Sequence, residues 1–173
     1  MFFDETGLTW VNPSPNMRSL DEALLYPGLG IPEFTNLSVG RGTETPFEVI
    51  GAPWIDADEL AKKMTALNLP GVKFEATRYT PSASRFKDEE VSGLRFTITD
   101  RDALEPVEIG VALMTTLARD YPNDWELKNA NTLLLNKETL KAITEGKSLD
   151  EIRALWKDDL ARFNALRANF LIY

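Results

Sequence analysis

Apolar residues at three- and four-residue steps mark the clearest amphipathic helix of the chain. They are Leu149, Ile152, Trp156, Leu160 and Phe163. Ser148-Leu-Asp-Glu151 in front of them is a capping box, so one helix is predicted from Ser148 onward. A second capping box, Ser19-Leu-Asp-Glu22, predicts a helix that ends near Leu25, before Tyr26-Pro27-Gly28. Asp56 caps a third helix to about Leu67, broken by Leu69-Pro-Gly71. After Pro106, the positions Val107, Ile109, Val111, Leu113, Met114 and Leu117 give a mostly apolar helix, expected to be central. Lys137 to Glu145 reads as a short helix ended by Gly146.

Strand signals lie between the helices. Leu94 to Ile98 alternates cleanly, and Val72 to Tyr79 is a strand of mixed periodicity. Phe47 to Ile50 and Leu8 to Val11 are shorter strand candidates, with Gly51-Ala-Pro-Trp54 as a turn. Residues 124–135 fit strand or loop equally well. Residues 81–90 form a polar loop whose charge run reads as solvated. Together these elements predict an α+β (mixed α/β) class, as a single domain with a mixed sheet packed by helices.

Residues 28–46 fit no regular element. Four of the ten glycines fall there, interleaved with small polar residues. Within Thr35-Asn-Leu-Ser-Val-Gly-Arg-Gly-Thr43, glycines flank Arg41 and give the backbone unusual angles and close approach. A guanidinium is a planar fork for a carboxylate or phosphate. Asn36, Ser38 and Thr43 add neutral hydrogen-bonding groups of the kind sugars need. The same pattern also fits a Gly-rich loop whose Arg41 pairs with Glu44 or Glu48. Glu33, Glu44 and Glu48 form a nearby carboxylate set, as glycoside hydrolysis would use, or simply surface charges. Trp10, Tyr26, Phe34, Phe47 and Trp54 are sugar-stacking faces or core. Trp125 and Trp156 read as core, and Asp100-Arg101-Asp102 as a turn or cap.

Composition narrows the chemistry. The chain has no cysteine and no histidine, which excludes disulfides, thiolate nucleophiles, Cys- or His-ligated zinc and a His base. Proton transfer would have to use Asp, Glu, Lys or Tyr. A net charge of −8, with Lys62-Lys63 as the longest basic cluster, argues against nucleic acid as a partner. No apolar run is long enough for a membrane span, and Met1 to Glu5 does not begin a signal peptide.

Several motifs then occur in fixed order. They are Trp10-Val-Asn-Pro-Ser-Pro-Asn16, Ala23-Leu-Leu-Tyr-Pro-Gly28, Thr35 to Thr43, Pro46-Phe-Glu48, Gly51-Ala-Pro-Trp54, Tyr79-Thr-Pro81, Thr99-Asp-Arg101 and Phe170-Leu-Ile-Tyr173. In these the chain resembles the domain of unknown function 1343 family, whose characterised members are exo-β-N-acetylmuramidases. The resemblance covers nearly the whole chain. It implies that residues 1–173 are the C-terminal, substrate-cleft domain of a two-domain hydrolase that recycles peptidoglycan. The upstream Rossmann-like domain, carrying the catalytic glutamate, is absent here. Without it the isolated chain is expected to be inactive.

The resemblance also implies muramyl sugars as ligands, no metal or other cofactor, and a periplasmic or secreted bacterial parent. Arg41 would pair with the lactyl carboxylate of N-acetylmuramic acid. Asn36, Ser38 and Thr43 would bind hydroxyl or acetamido groups. Asn12 and Asn16 would line the cleft, Trp54 or Phe34 would wall it, and Glu33 or Glu48 would hold Arg41 or assist a water. A non-catalytic module binding cell-wall sugars or a small anion is the alternative. Two departures stand out: Glu33-Phe34-Thr35-Asn36 has a ring where the family commonly has glycine, and a cysteine common before the Leu94 strand is missing.

Overall fold

The computed structural model describes residues 1–172. Three strands form one sheet among these residues: β1 (Val49–Ala52), β2 (Val72–Tyr79) and β3 (Val91–Ile98), in the order β1-β3-β2. Seven helices accompany it: α1 (Leu20–Leu29), α2 (Ala57–Ala66), α3 (Pro106–Asp120), α4 (Asn131–Leu134), α5 (Lys137–Thr144), α6 (Leu149–Ala154) and α7 (Lys157–Arg167). The α+β class holds. The sheet, however, is antiparallel rather than mixed. β1 and β2 run the same way around the crossover helix α2, but β3 inserts between them and opposes both.

The core lies between the sheet and α2, α1 and α3. Phe74 and Phe96 face each other in register and meet edge to face at 5.6 Å. Ile50, Leu94, Leu60 and Met64 are fully buried beside them. The apolar helix predicted after Pro106 is central, as expected, with Leu113, Met114 and Leu117 wholly inaccessible. α1 crosses α3 at two glycines: a β-carbon on Gly28 would overlap the Pro106 carbonyl, and one on Gly110 would overlap that of Gly28. Only glycine permits so close a helix crossing.

That crossing explains the length of α1. The helix does not stop at Leu25 but continues through Pro27 to Leu29. Burial of Leu25, Gly28 and Leu29 against α3 outweighs the backbone hydrogen bond that Pro27 cannot donate. β1 is also shifted, to Val49–Ala52. Phe47 has φ +63°, a left-handed turn that delays the strand, while Gly51 and Ala52 pair with Gly93 and Ser92.

Other expectations change. Leu8 to Val11 is not a strand, since no strand lies beside it. It follows a 3-10 turn, Phe3–Thr6, and leaves Leu8 and Val11 exposed. The undecided 124–135 segment is loop ending in α4. The single helix predicted from Ser148 is two helices, broken at Leu155 and Trp156. Ile152 packs into the core and Trp156 lies against it, but Leu160, Phe163 and Leu166 of α7 are at least half exposed. The predicted apolar stripe therefore exists but is uncovered in this chain. No described helix is long and apolar enough to cross a membrane.

Candidate functional site

Two loops meet above the β1 side of the sheet: the Gly-rich segment after α1 and the β2–β3 connection. Ile31–Phe34 is a 3-10 turn that presents Glu33 and Phe34. The chain then enters the core, burying Leu37, Ser38 and Val39. Ser38 exchanges two backbone hydrogen bonds with Gly51, at 2.8 and 3.0 Å, which docks the loop on β1. Gly40 (φ +77°) and Gly42 (φ +86°) both take left-handed angles around Arg41. The close approach expected of Gly42 is real, but the group that approaches is Ala83, not a ligand. Ser82 seals the contact, its N–H and hydroxyl both donating to the Gly42 carbonyl at 2.9 and 2.8 Å.

Arg41 neither pairs with Glu44 nor with Glu48. Its Nε donates to Oε1 of Glu33 at 2.5 Å, and its guanidinium stands 5.1 Å from the centre of the buried Phe47 ring. Glu44 is exposed and faces Arg18 at 3.6 Å, while Arg18 also donates to the Thr43 carbonyl at 2.7 Å. Arg18 is thus an anchor of this loop that the sequence did not reveal.

Beside the Arg41–Glu33 pair lies a pocket of about 460 Å³. Glu33, Phe34 and Arg41 line one side; Ser84, Arg85, Phe86 and Glu89 line the other, over Leu37 and Val39. Phe34 is 48% exposed, a ring face open to solvent. The sequence reading named Glu33, Phe34 and Arg41, which line this pocket together. It missed the second wall, because residues 81–90 were indistinguishable from a solvated charge run.

The remaining candidates lie elsewhere. Asn36 is a clamp: its Nδ2 donates to the Asp124 carbonyl at 2.7 Å and its Oδ1 accepts from the Glu126 N–H at 2.8 Å. The buried Ser38 hydroxyl accepts from the Gly40 N–H at 3.3 Å. The Thr43 hydroxyl closes the turn by donating to the Gly40 carbonyl at 2.7 Å. Asn12 is exposed, and Asn16 sits in a turn where its N–H donates to the Ser14 hydroxyl at 3.1 Å. Trp54 packs on Tyr121 at 5.2 Å. Trp10 packs edge-on against Phe3, and Tyr26 against Phe47. Trp125 is buried, as read. Asp100 forms the expected turn by accepting from the Asp102 N–H, and Arg101 ties the N-terminal turn down through Asp4 and Glu5.

Glu48 does not line the Arg41 pocket. It is half-buried near Ser19, Glu22, Asp21 and Arg95, whose Nη1 is 4.0 Å away. Desolvation first, then repulsion from Glu22 and Asp21, raises its carboxyl above the ordinary glutamate range, and Arg95 opposes this. Burial likewise pushes the Tyr79 phenol up, its hydroxyl donating to the Ser38 carbonyl at 3.4 Å. Among the described residues no group of three or more acidic side chains is arranged to hold a metal ion.

The fold recurs in solved structures. A crystal structure of a DUF1343 family protein from Bacteroides fragilis NCTC 9343 matches with a TM-score of 0.81 at 27% identity, covering 100% of this chain and 47% of that one. A second DUF1343 family protein of the same organism matches at 0.65 with 26% identity, covering 94% of this chain and 43% of that one. The architecture is therefore that of part of a DUF1343 family protein. A family model described as the C-terminal region of the exo-β-N-acetylmuramidase NamZ matches residues 24–173, and the chain belongs to that family. It is similar to the peptidoglycan β-N-acetylmuramidase NamZ of Bacillus subtilis strain 168, 38% identical over 176 residues. The match covers all of this chain and 42% of that relative's length.

Proposed function

We propose that this chain is the substrate-cleft domain of a glycoside hydrolase that removes terminal N-acetylmuramic acid from peptidoglycan fragments. The observation that carries the reading is the pocket that joins Arg41 to Phe34 inside a NamZ C-terminal domain. N-acetylmuramic acid combines a lactyl carboxylate with a ring whose C–H face is apolar. A guanidinium beside an open aromatic ring suits both features. With its Nε spent on Glu33, Arg41 presents its terminal nitrogens to an incoming carboxylate.

Glu33 acts in this reading as the group that aims Arg41, not as an acid or base. The carboxylates that cleave the glycosidic bond belong to a domain upstream in the parent protein. That domain also covers the apolar face of α7, and the parent works outside the cytoplasmic membrane, where peptidoglycan lies. One observation favours the alternative, a sugar-binding module without turnover. Glu33, the pocket carboxylate beside Arg41, is ion-paired to it and so is not a free acid or base.

The test is a titration of the chain with N-acetylmuramyl-N-acetylglucosamine, followed by amide chemical shifts. Saturable shifts confined to residues 33–42 and 82–89 are expected. Shifts absent at millimolar ligand would reject the site. Cleavage on adding the upstream domain separates the hydrolase from the binding module.

A further inference from the structure

Arg41 is the cation that the sequence singles out, yet its charge is largely answered by Glu33. Arg85 is the other guanidinium lining the same pocket, and its position differs in kind. Among the described residues no carboxylate comes within 4.0 Å of its nitrogens, the reach that defines the ion pairs elsewhere in the chain. In a chain of net charge −8, seven of the ten arginines are ion-paired among the described residues, and of the three that are not, Arg85 lines this pocket.

The backbone around Arg85 is also unusual. Ser84 (φ +68°) and Phe86 (φ +58°) flank it in the left-handed region, and Asp88 (φ +62°) follows. None of these is glycine, so each is a strained backbone position. Strain of this kind persists only where surrounding structure imposes it, and it clusters at ligand-binding positions. Here the restraint is visible. Ser82 is bonded to Gly42, Asp88 donates back to the Pro81 carbonyl at 2.8 Å, and Glu89 donates to that of Phe86 at 3.0 Å. The loop is closed on itself and bolted to the Arg41 loop, with Arg85 at its turn and the Phe86 ring packed partly inward.

We infer that Arg85 is the specificity-determining residue of this pocket, the guanidinium that selects a ligand carboxylate, while Arg41 and Glu33 form the fixed wall beside it. The inference rests on the muramyl-sugar reading and sharpens it. The lactyl carboxylate enters between the two guanidiniums, and Arg85 gains there the counter-ion that the protein does not provide. Glu89, on the same wall, faces the neutral hydroxyls and excludes a second negative charge. A ligand with one carboxylate on a sugar ring is accepted, and a dianion such as a phosphate monoester is rejected.

The experiment compares N-acetylmuramyl-N-acetylglucosamine with N,N′-diacetylchitobiose, which lacks the lactyl group, on the intact chain and on two variants. Arg85 is exposed, so Arg85→Ala is expected to fold normally, checked by its unfolding midpoint. The intact chain should prefer the muramyl disaccharide by about tenfold or more, the worth of one charge-assisted contact. Arg85→Ala should sharply reduce that preference while leaving chitobiose affinity nearly unchanged, and Arg85→Lys should restore part of it. An undiminished preference in Arg85→Ala overturns the inference and leaves the muramyl reading standing. No preference in the intact chain overturns both.

Discussion

Gly42 and Ala83 lie backbone to backbone: a β-carbon added to Gly42 would sit 2.5 Å from the Ala83 nitrogen and 2.6 Å from its carbonyl oxygen. This contact joins the two walls of the pocket, and it needs the left-handed angle of Gly42 as well as the missing side chain. Gly42→Ala is therefore expected to destabilise the chain by about 2–4 kcal/mol, combining backbone strain with overpacking. Urea unfolding measures it; an unshifted midpoint would show that the loops separate without penalty.

Asn36 was a sugar-binding candidate in the sequence, but its amide already makes two bonds to the 124–126 loop. Asn36→Ala should cost about 1–2 kcal/mol of stability through those lost bonds. Its ligand affinity, measured well below the unfolding temperature, should be close to that of the parent. A large affinity loss at unchanged stability would return Asn36 to the binding site.

Glu48 sets a pH dependence of definite sign. Its native carboxyl holds its proton more tightly than the ordinary value of 4.5, so the folded state binds the extra proton. Below about pH 4.5 both states are protonated and no penalty exists. As pH rises from there through the elevated native value, stability is lost. Glu48→Gln should be more stable than the parent at pH 7, with the gap closing towards pH 4. Unfolding curves at the two pH values test this, and a gap that widens on acidification would contradict it.

Phe163 is 59% exposed on α7, between Leu160 and Leu166. Phe163→Ser should change the stability of this chain by no more than about 0.5 kcal/mol, as for other exposed positions. If the upstream domain covers α7, the same substitution should weaken the association of the two domains added separately. Calorimetric titration gives that second quantity; equal affinities for parent and variant would place the domain contact elsewhere.

The elements with strong local signals were legible in the sequence. Capping boxes at Ser19 and Ser148, the Asp56 cap and the apolar run after Pro106 each placed a helix start. Their ends were less so. Pro27 punctuates locally, but the Gly28–Gly110 crossing is a tertiary fact and overrode it. Periodicity located the apolar stripe of α7, yet periodicity reports which face is apolar, not whether anything covers it. In the site, Gly-Arg-Gly announced special backbone, and Glu33, Phe34 and Arg41 do meet. Arg85 was hidden because one arginine in a polar loop carries no local mark. Only the docking of Ser82 on Gly42 brings it to the pocket.

Strand order has a kinetic meaning for the pocket. β2 and β3 are neighbours in sequence and pair from Tyr79–Val91 outward, with the Arg85 loop as their connection. β1 must instead find β3 across the whole of α2, β2 and that loop before Val49 meets Arg95. Closing the longer loop costs more entropy and comes later. The Arg85 wall thus forms with the early hairpin. The Arg41 wall, fastened to β1 through Ser38, arrives only when the last strand is added. The two-walled pocket is therefore expected to be the last feature completed as this chain folds, and the first lost when β1 detaches.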